Sequence, residues 1–483
     1  MELKVDKTDK TVTKRFNCHT GVKQGCMLSP TLFNIFLHDL PETLDDDVSD
    51  LAVTNNYRIK GLLYADDLVL ISQTKTGLQH QLNKLQLFCE TSRIYTNLEK
   101  TKIMVFNNTG KRMRNFSFYL NQYKLENVKS YKYLGIFFSA FGTFNTAREE
   151  LKKIALKALF KLRKDLGNHF RTDISLTIHL FNALIKPILL YGSEVWGVDI
   201  KDNLNNDPAE MVHTKFCKML LGVNKRASNN ACRSELGLFP LRVNAKLRVV
   251  KFWVKFAISN KTKLSHLTIQ DCNHANTPCS WSGKTKFIFD KLGYSFVWNQ
   301  TFDETKSKII VKQIKQRLED IEIQAWFEEI HNDMGRKDSQ KNKLRTYRTF
   351  KTIYKQENYL QGVSNIKHRI ALTKLRISNH CLQIERGRHC RPYIKPEERI
   401  CPLCDHGMED EKHFLLKCPL FSPKRKELIN KINKITNKKL EFLSEEEQFH
   451  VLINPNEKIQ KTIGRYIYEC FEERKEILTQ TNT

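Results

Sequence analysis

The stretch GLLYADDLVLIS, Gly61 to Ser72, places two adjacent aspartates, Asp66 and Asp67, between two short apolar runs. Runs of this length around a polar pair read as two antiparallel strands joined by a tight turn. The chain must therefore build part of its fold as antiparallel sheet, with one hairpin carrying two like charges at its tip. Two readings follow. Aspartate suits turns for its own sake. Alternatively the pair is half of a metal site, because a divalent cation between two close carboxylates removes their repulsion, and Mg²⁺ takes such hard oxygen ligands while keeping positions open for phosphates.

The surroundings extend the pattern. At 483 residues and 56.7 kDa the chain exceeds one core, so two to four domains are expected. VTKRFNC (Val12–Cys18) alternates as a strand does. SPTLFNIFLHDL offers Ser29 as N-cap and Pro30 at the first helical position. Leu32, Phe33, Ile35, Phe36 and Leu40 then give that helix a broad buried face. The acidic stretch DLPETLDDDVSD (Asp39–Asp50) reads as a solvated loop. A helix over about 77–95, a strand KIMVF (Lys102–Phe106) and a strand-like run YKYLGIFFS (Tyr131–Ser139) complete residues 1–139. The expected class is α+β, with helices packed on an antiparallel sheet. Residues 140–260 read as a helical domain. Residues 261–340 are compositionally mixed and read as a linker or weakly specified region. Segments 341–400 (basic and aromatic), 401–418 (cysteine and histidine) and 419–483 (a helical tail) follow.

Charge narrows the partner. Lys and Arg number 80 against 53 Asp and Glu, a net +27, which points to a polyanion such as nucleic acid. From Lys341 to Ile400 there are 15 Lys/Arg against 4 Asp/Glu, interleaved with Tyr347, Phe350, Tyr354, Tyr359 and Tyr393. Cations neutralise phosphates and rings stack on unpaired bases, so this segment is expected to form a single-strand groove; a solvated helical face is the alternative for any one residue. The most apolar stretch, FNALIKPILLYG from Phe181, is interrupted by Lys186 and Pro187 and is too short to span a bilayer, so no membrane partner is expected. The 13 cysteines are scattered, and no signal peptide opens the sequence. Both point to free thiols in an intracellular setting, nuclear and/or cytoplasmic rather than secreted.

One group of cysteines is ordered. CPLCDHGMEDEKHFLLKC sets Cys401, Cys404, His413 and Cys418 in a C-x2-C-x8-H-x4-C pattern. Zn²⁺ favours four sulfur and nitrogen ligands in a tetrahedron, and the Cys-x2-Cys turn supplies two. His406 is a rival ligand, and unmetallated thiols are the other reading. Cys272, His274 and Cys279 form a second group without a good fourth ligand.

Four blocks in order, GVKQGCMLSP (from Gly21), YADD (Tyr64–Asp67), NLEKTK (from Asn97) and YKYLGI (from Tyr131), resemble the reverse transcriptases of non-LTR (LINE-type) retrotransposons. The resemblance implies a partial polymerase palm followed by a helical thumb, with Asp66 as catalytic Mg²⁺ ligand and Asp67 as the neighbouring acid. It implies that Gln24, Gly25, Tyr64 and Ala65 face the template and incoming nucleotide, and that Lys100, or nearby Lys102, approaches the leaving pyrophosphate. RNA template, DNA primer and dNTP are the partners in the intact family. ALIKPILLYGSEVWG and FCKMLLGVNKRASNNACRSELGLFPL resemble the helical segment after the palm, and the Cys/His region resembles the family's C-terminal segment. The palm of this family also needs a third acid before the glycine block. KVDKTDK offers Asp6 and Asp9, without aromatic flanking and too near Gly21. The expectation is therefore an N-terminally truncated reverse transcriptase with an incomplete two-metal site and little or no activity; the alternative is a non-catalytic RNA/primer–template-binding remnant.

Overall fold

The structure is a computed structural model. It describes residues 21–480 apart from 24, 45–49, 55–56, 107–115, 202, 259–262, 275–276, 301–302, 333–342 and 438, and apart from the side chains of Cys272, His274 and Asn299. The expected strand Val12–Cys18, Asp6, Asp9 and Gln24 lie outside the described residues. The chain divides into two units, residues 1–143 with 261–275 and residues 144–260 with 276–483.

The first unit runs α1 (Ser29–Phe36), α2 (Leu40–Thr43), β1 (Ala52–Thr54), β2 (Tyr57–Ile59), β3 (Leu62–Tyr64), β4 (Asp67–Val69), α3 (Lys75–Thr91), β5 (Lys102–Ile103), β6 (Tyr119–Leu120), β7 (Tyr123–Lys124), β8 (Glu126–Asn127), β9 (Ser130–Tyr133) and β10 (Ile136–Ser139). The expected single antiparallel sheet is replaced by five two-stranded ladders among the described residues. Four are antiparallel and one, β5 with β8, is parallel. The strands are two to four residues long and each antiparallel ladder pairs strands adjacent in the sequence, so α3 supplies the common apolar layer instead. Thr74 caps α3 by accepting from the Gly77 N–H at 3.1 Å. One side of α3 packs Leu85, Phe88 and Cys89 against Leu40 and Leu44, and Leu82 joins Ile103, Phe118, Leu120 and Leu125.

Four local expectations change. Ser29 does not cap α1: its hydroxyl donates to the Lys23 carbonyl at 2.7 Å, and Leu28 holds the cap position. The broad buried face of that helix is exposed, Ile35 at 66% and Leu32 at 51%, because it is Leu37, Leu40 and Leu44, beyond its end, that reach the α3 core. Part of the acidic stretch is helical, since Leu40 and Leu44 have α3 to pack against. YKYLGIFFS is not one strand but the β9–β10 hairpin, turning at Leu134 and Gly135, both at positive φ.

The second unit is helical. In Asn145–Leu166, Leu151, Ala155, Leu159 and Leu162 recur at helical spacing and are buried. Phe216, on Pro208–Leu221, stacks on Phe181 at 4.1 Å. The region expected to be a linker carries helix Leu264–His274, which belongs to the first unit, and in the second unit Trp281–Leu292 and Glu304–His331. Its apolar residues explain this: Ile288, Phe289, Leu292, Val297, Ile314 and Leu318 share one core with Trp253 on Leu241–Ala257. Among the described residues no single helix is long and apolar enough to cross a membrane. The bent pair Ile174–Leu189 and Ser193–Asp199 passes on composition, and its Phe181, Ile185, Leu189 and Trp196 are buried.

The basic aromatic segment is also corrected. Tyr347, Phe350 and Tyr359 are buried, so they offer no face to a base. Several of its cations are internal. Arg376, 1% exposed, donates to Glu235 at 3.2 Å and to Glu357 at 2.7 Å, with its guanidinium between Phe350 and Tyr359. Arg345 pairs with Glu385 and Glu411, Lys351 with Glu357 and Arg388 with Glu385. Arg369 and Arg399 donate to backbone carbonyls.

Burial opposes ionisation of Glu235, but Arg376 and Lys351 overcome it and hold the carboxyl below the usual range. Glu210, buried beside His213 and Arg233, is lowered in the same way. A carboxyl depressed in the fold contributes stability above its unfolded value, and that stability is lost as pH falls toward the folded value. The thermal midpoint, followed by circular dichroism, is therefore expected to fall as pH drops below about 4.3. Glu235→Gln, which breaks a buried pair, is expected to cost about 3 kcal/mol at neutral pH and to weaken the acid dependence. A midpoint unchanged by either treatment contradicts this.

Candidate functional site

The carboxylate hairpin forms where the apolar pattern places it. β3 and β4 pair in register Leu62↔Val69, Leu63↔Leu68 and Tyr64↔Asp67, leaving Ala65 and Asp66 as the turn. Side chains alternate across a strand. Leu68 and Leu70 pack against the α3 cores, which sends Asp67 and Val69 to the other side. Ala65 carries a φ of +53°, a conformation that costs a residue with a Cβ and persists where the surroundings hold it. Tyr64, Ala65, Asp66 and Asp67 are all exposed.

The β9–β10 hairpin connects the other blocks to this turn. The Tyr131 hydroxyl donates to the Lys100 carbonyl at 3.0 Å. Tyr133, on the same side of β9, has its phenol raised by burial and then by the Asp67 charge. Sequence reasoning quoted YKYLGI as a block without giving these tyrosines a role; their i, i+2 spacing is the signal that places both on one face. Lys102 forms an ion pair with Glu126 at 2.6 Å, whereas Lys100 is exposed at the turn closed by its N–H on Asn97. Gly25, at φ +83°, stands before α1 with open space where a Cβ would point. Among the described residues no third Asp, Glu, His or Cys joins Asp66 and Asp67 in a metal-sized group.

One such group does form, in the second unit. The donor atoms of Cys401, Cys404, His413 and Cys418 all lie within 4.8 Å of one another, with Cys404 Sγ and His413 Nε2 3.5 Å apart. Sulfur and nitrogen donors around one tetrahedral ion at bond lengths near 2.0–2.3 Å stand about 3.5–3.8 Å apart, so the set fits a metal. The local chain explains the convergence. The Cys401 N–H donates to the Gly407 carbonyl at 3.0 Å, and Asp405 and Gly407 at positive φ close the knuckle. A wide turn, His413–Lys417, is closed by the Cys418 N–H on the His413 carbonyl at 2.8 Å, which brings residues five apart to one side. His406, the rival ligand, sets its Nδ1 against the Cys404 carbonyl and stays out of the group.

Sequence reasoning missed the residues that hold the group. Arg474 donates twice to Glu409, both at 2.7 Å. Arg425 donates to the carbonyls of Leu415 at 2.9 Å and Cys418 at 2.7 Å. Asp410 accepts from the His413 N–H at 2.7 Å. Arg425 and Arg474 lie on helices Ser422–Thr436 and Gln460–Gln480, too far along the chain for a spacing motif to include them. The Cys401 thiol is pushed up to about 12, first by its hydrogen bond with Cys418 and then by burial, and the same bond draws Cys418 down. Every described cysteine is a free thiol.

Residues 3–138 match the family described as reverse transcriptase (RNA-dependent DNA polymerase), so the segment bearing the carboxylate hairpin is a reverse transcriptase domain. Its relatives are retrotransposon proteins. The RNA-directed DNA polymerase from mobile element jockey of Drosophila melanogaster is 25% identical over 194 residues, 38% of this chain and 20% of that protein. The Pol polyprotein from type-2 retrotransposable element R2DM of the same species is 34% identical over 129 residues, 25% of this chain and 12% of its own length. The type-1 R2 polyprotein of Popillia japonica is 27% identical over 194 residues, 38% of this chain and 30% of that protein. The domain is therefore similar to those of non-LTR retrotransposons, and the chain spans a third or less of each of these three relatives.

A metal in the Cys/His group is directly readable with Co²⁺. The reductively purified chain is expected to take up one equivalent and show thiolate charge-transfer and tetrahedral ligand-field bands. Cys418→Ser should weaken them, whereas His406→Ala should leave them intact. Bands lost with His406→Ala would reassign the fourth ligand.

Proposed function

We propose that this chain contributes the carboxylate hairpin of an RNA-directed DNA polymerase that works by two-metal nucleotidyl transfer, and that the 483 residues alone extend a primer little or not at all. Asp66 is a metal ligand and Asp67 the neighbouring acid. Gln24, Gly25, Tyr64 and Ala65 face template and incoming nucleotide. Lys100 stabilises charge developing on the leaving pyrophosphate; Lys102, engaged by Glu126, is the weaker candidate. Bound Mg²⁺ would supply a more nucleophilic 3′-hydroxyl and a clamp on the leaving group. The observation that carries the reading is the exposed Asp66–Asp67 turn inside a reverse transcriptase match, without a third donor among the described residues.

The Cys/His group is assigned as a structural Zn²⁺ site, since four protein donors close the tetrahedron and leave no position for chemistry. A second reading, a non-catalytic module that holds RNA or primer–template, is favoured by the net charge of +27. In either case the free thiols suit work inside the cell, in the nucleus and/or cytoplasm.

Primer extension on an RNA template with Mg²⁺ or Mn²⁺ separates these readings. No product above an Asp66→Ala control is expected from the 483-residue chain. Robust synthesis abolished by Asp66→Ala would overturn the inactivity, and failure to bind any strand at low salt would remove the second reading. Metal analysis is expected to find about one zinc per chain; a content near zero rejects the zinc assignment.

A further inference from the structure

A groove of ≈ 690 Å³ opens within the second unit, lined from Pro208–Leu221, the following loop, the start of Asn229–Leu236, and Glu304–His331. That volume lies in the roughly 300–1,000 Å³ range of ligand sites. Its wall holds five basic side chains, Lys218, Lys225, Arg233, Arg242 and Lys343, against two carboxylates, Glu322 and Glu329. Both carboxylates are engaged. Glu322 accepts from Arg242 at 2.7 Å, and Glu329 accepts from the Asn230 amide. Arg233 turns toward Glu210 at 3.5 Å.

The three lysines are different. Lys218 donates to the Lys225 carbonyl at 2.9 Å and Lys343 to the Arg226 carbonyl at 2.5 Å. An ammonium has three donors, so each of these keeps two. Among the described residues no carboxylate pairs with Lys218, Lys225 or Lys343. Burial lowers Lys343 first; Glu385 pulls it upward, and the charges of Arg388 and Lys218 push it further down. The first turn of Asn229–Leu236 adds partial positive charge of the same sign. With five cations against two carboxylates, the groove keeps an excess of positive charge that fits an anion.

The rings in the wall decide which part of a nucleotide is held. Tyr354 stacks on Phe239 at 4.9 Å, and Trp326, buried, meets Tyr354 edge-on at 5.3 Å. These rings are occupied by one another, so the groove offers ammonium groups and amides rather than a stacking face.

We propose that this groove holds the phosphodiester backbone of a nucleic-acid strand, without base preference, through Lys218, Lys225 and Lys343. Naming the anion as nucleic acid rests on the reverse transcriptase reading; the affinity for phosphate does not depend on Asp66.

The test is fluorescence anisotropy of the zinc-loaded 483-residue chain with labelled single-stranded RNA and DNA across a salt series. Combined Lys218→Gln, Lys225→Gln and Lys343→Gln is expected to weaken binding about tenfold or more and to make the log–log salt slope shallower by about 2–3. Because Lys343 is half-buried, exposed Lys225→Gln alone is also measured, with a slope change of about 1 expected. Lys461→Gln, an exposed charge on another helix, should stay within twofold. Affinity and slope unchanged in both Lys225→Gln and the folded triple variant would overturn the proposal. Inorganic triphosphate at matched ionic strength tests the source of the phosphate: displacement only well above the Kd of the strand supports a strand, and displacement below it assigns the groove to free polyphosphate. A chain that fails to extend a primer yet shows these slopes refutes nothing here, and a chain that extends a primer with an inert groove refutes only this proposal.

Discussion

The helical unit is organised around one buried guanidinium. Arg376 binds Glu235 and Glu357 and also donates to the Ile453 carbonyl at 2.9 Å and the Asn454 side chain at 3.0 Å. The Tyr359 hydroxyl completes Glu235 at 2.6 Å, and Lys351 shares Glu357. Such a pair is no guarantee of extra stability over a well-packed apolar core. Its consequence is specificity, because leaving any one of these charges alone in the interior costs about 3–5 kcal/mol. Helices Asn229–Leu236, Ile366–Arg376 and Glu445–Ile453 must therefore assemble together. His380, four residues beyond Arg376, passes the constraint on by meeting Glu411 at 2.9 Å, and Glu411 with Arg345 flanks the Cys/His group.

That network explains what the sequence displayed and what it concealed. Cys401, Cys404, His413 and Cys418 were legible because a knuckle and a wide turn are local, so spacing along the chain becomes spacing in space. Asp66 and Asp67 were legible for the same reason. The charge of residues 341–400 misled because a formal count is blind to distant partners: Glu235 and Glu411 lie outside that segment, and together with Glu385 and Glu357 they neutralise cations that a window sees as excess. Helices Trp281–Leu292 and Glu304–His331 were missed because their apolar residues sit among Lys, Asn and Thr, and their shared core with Trp253 is a long-range fact. Of the groove lysines, Lys343 belongs to the basic segment and Lys218 and Lys225 to FCKMLLGVNKRASNNACRSELGLFPL, but that they meet at one groove is visible only in the fold.

The two arrangements proposed to bind metal differ in what they ask of the fold. Two carboxylates on an exposed turn repel by only about 1 kcal/mol at 4 Å in water, which a hairpin tolerates without an ion. Asp66 and Asp67 can therefore be displayed by a folded chain whether or not the remaining donors of a two-metal site are supplied. Cys401, His413 and Cys418 are buried instead, beside the buried Phe414 and Leu415. There a bound metal would be part of the folding free energy, because the donor atoms converge only in the folded chain. Removing soft-metal ions should thus loosen the segment 400–418 and the helices that Arg425 and Arg474 bring to it, while removing Mg²⁺ should leave the hairpin folded. The proposed catalytic and strand-binding features are separately testable for the same reason: the acids lie on a hairpin of the first unit and the groove is built from helices of the second.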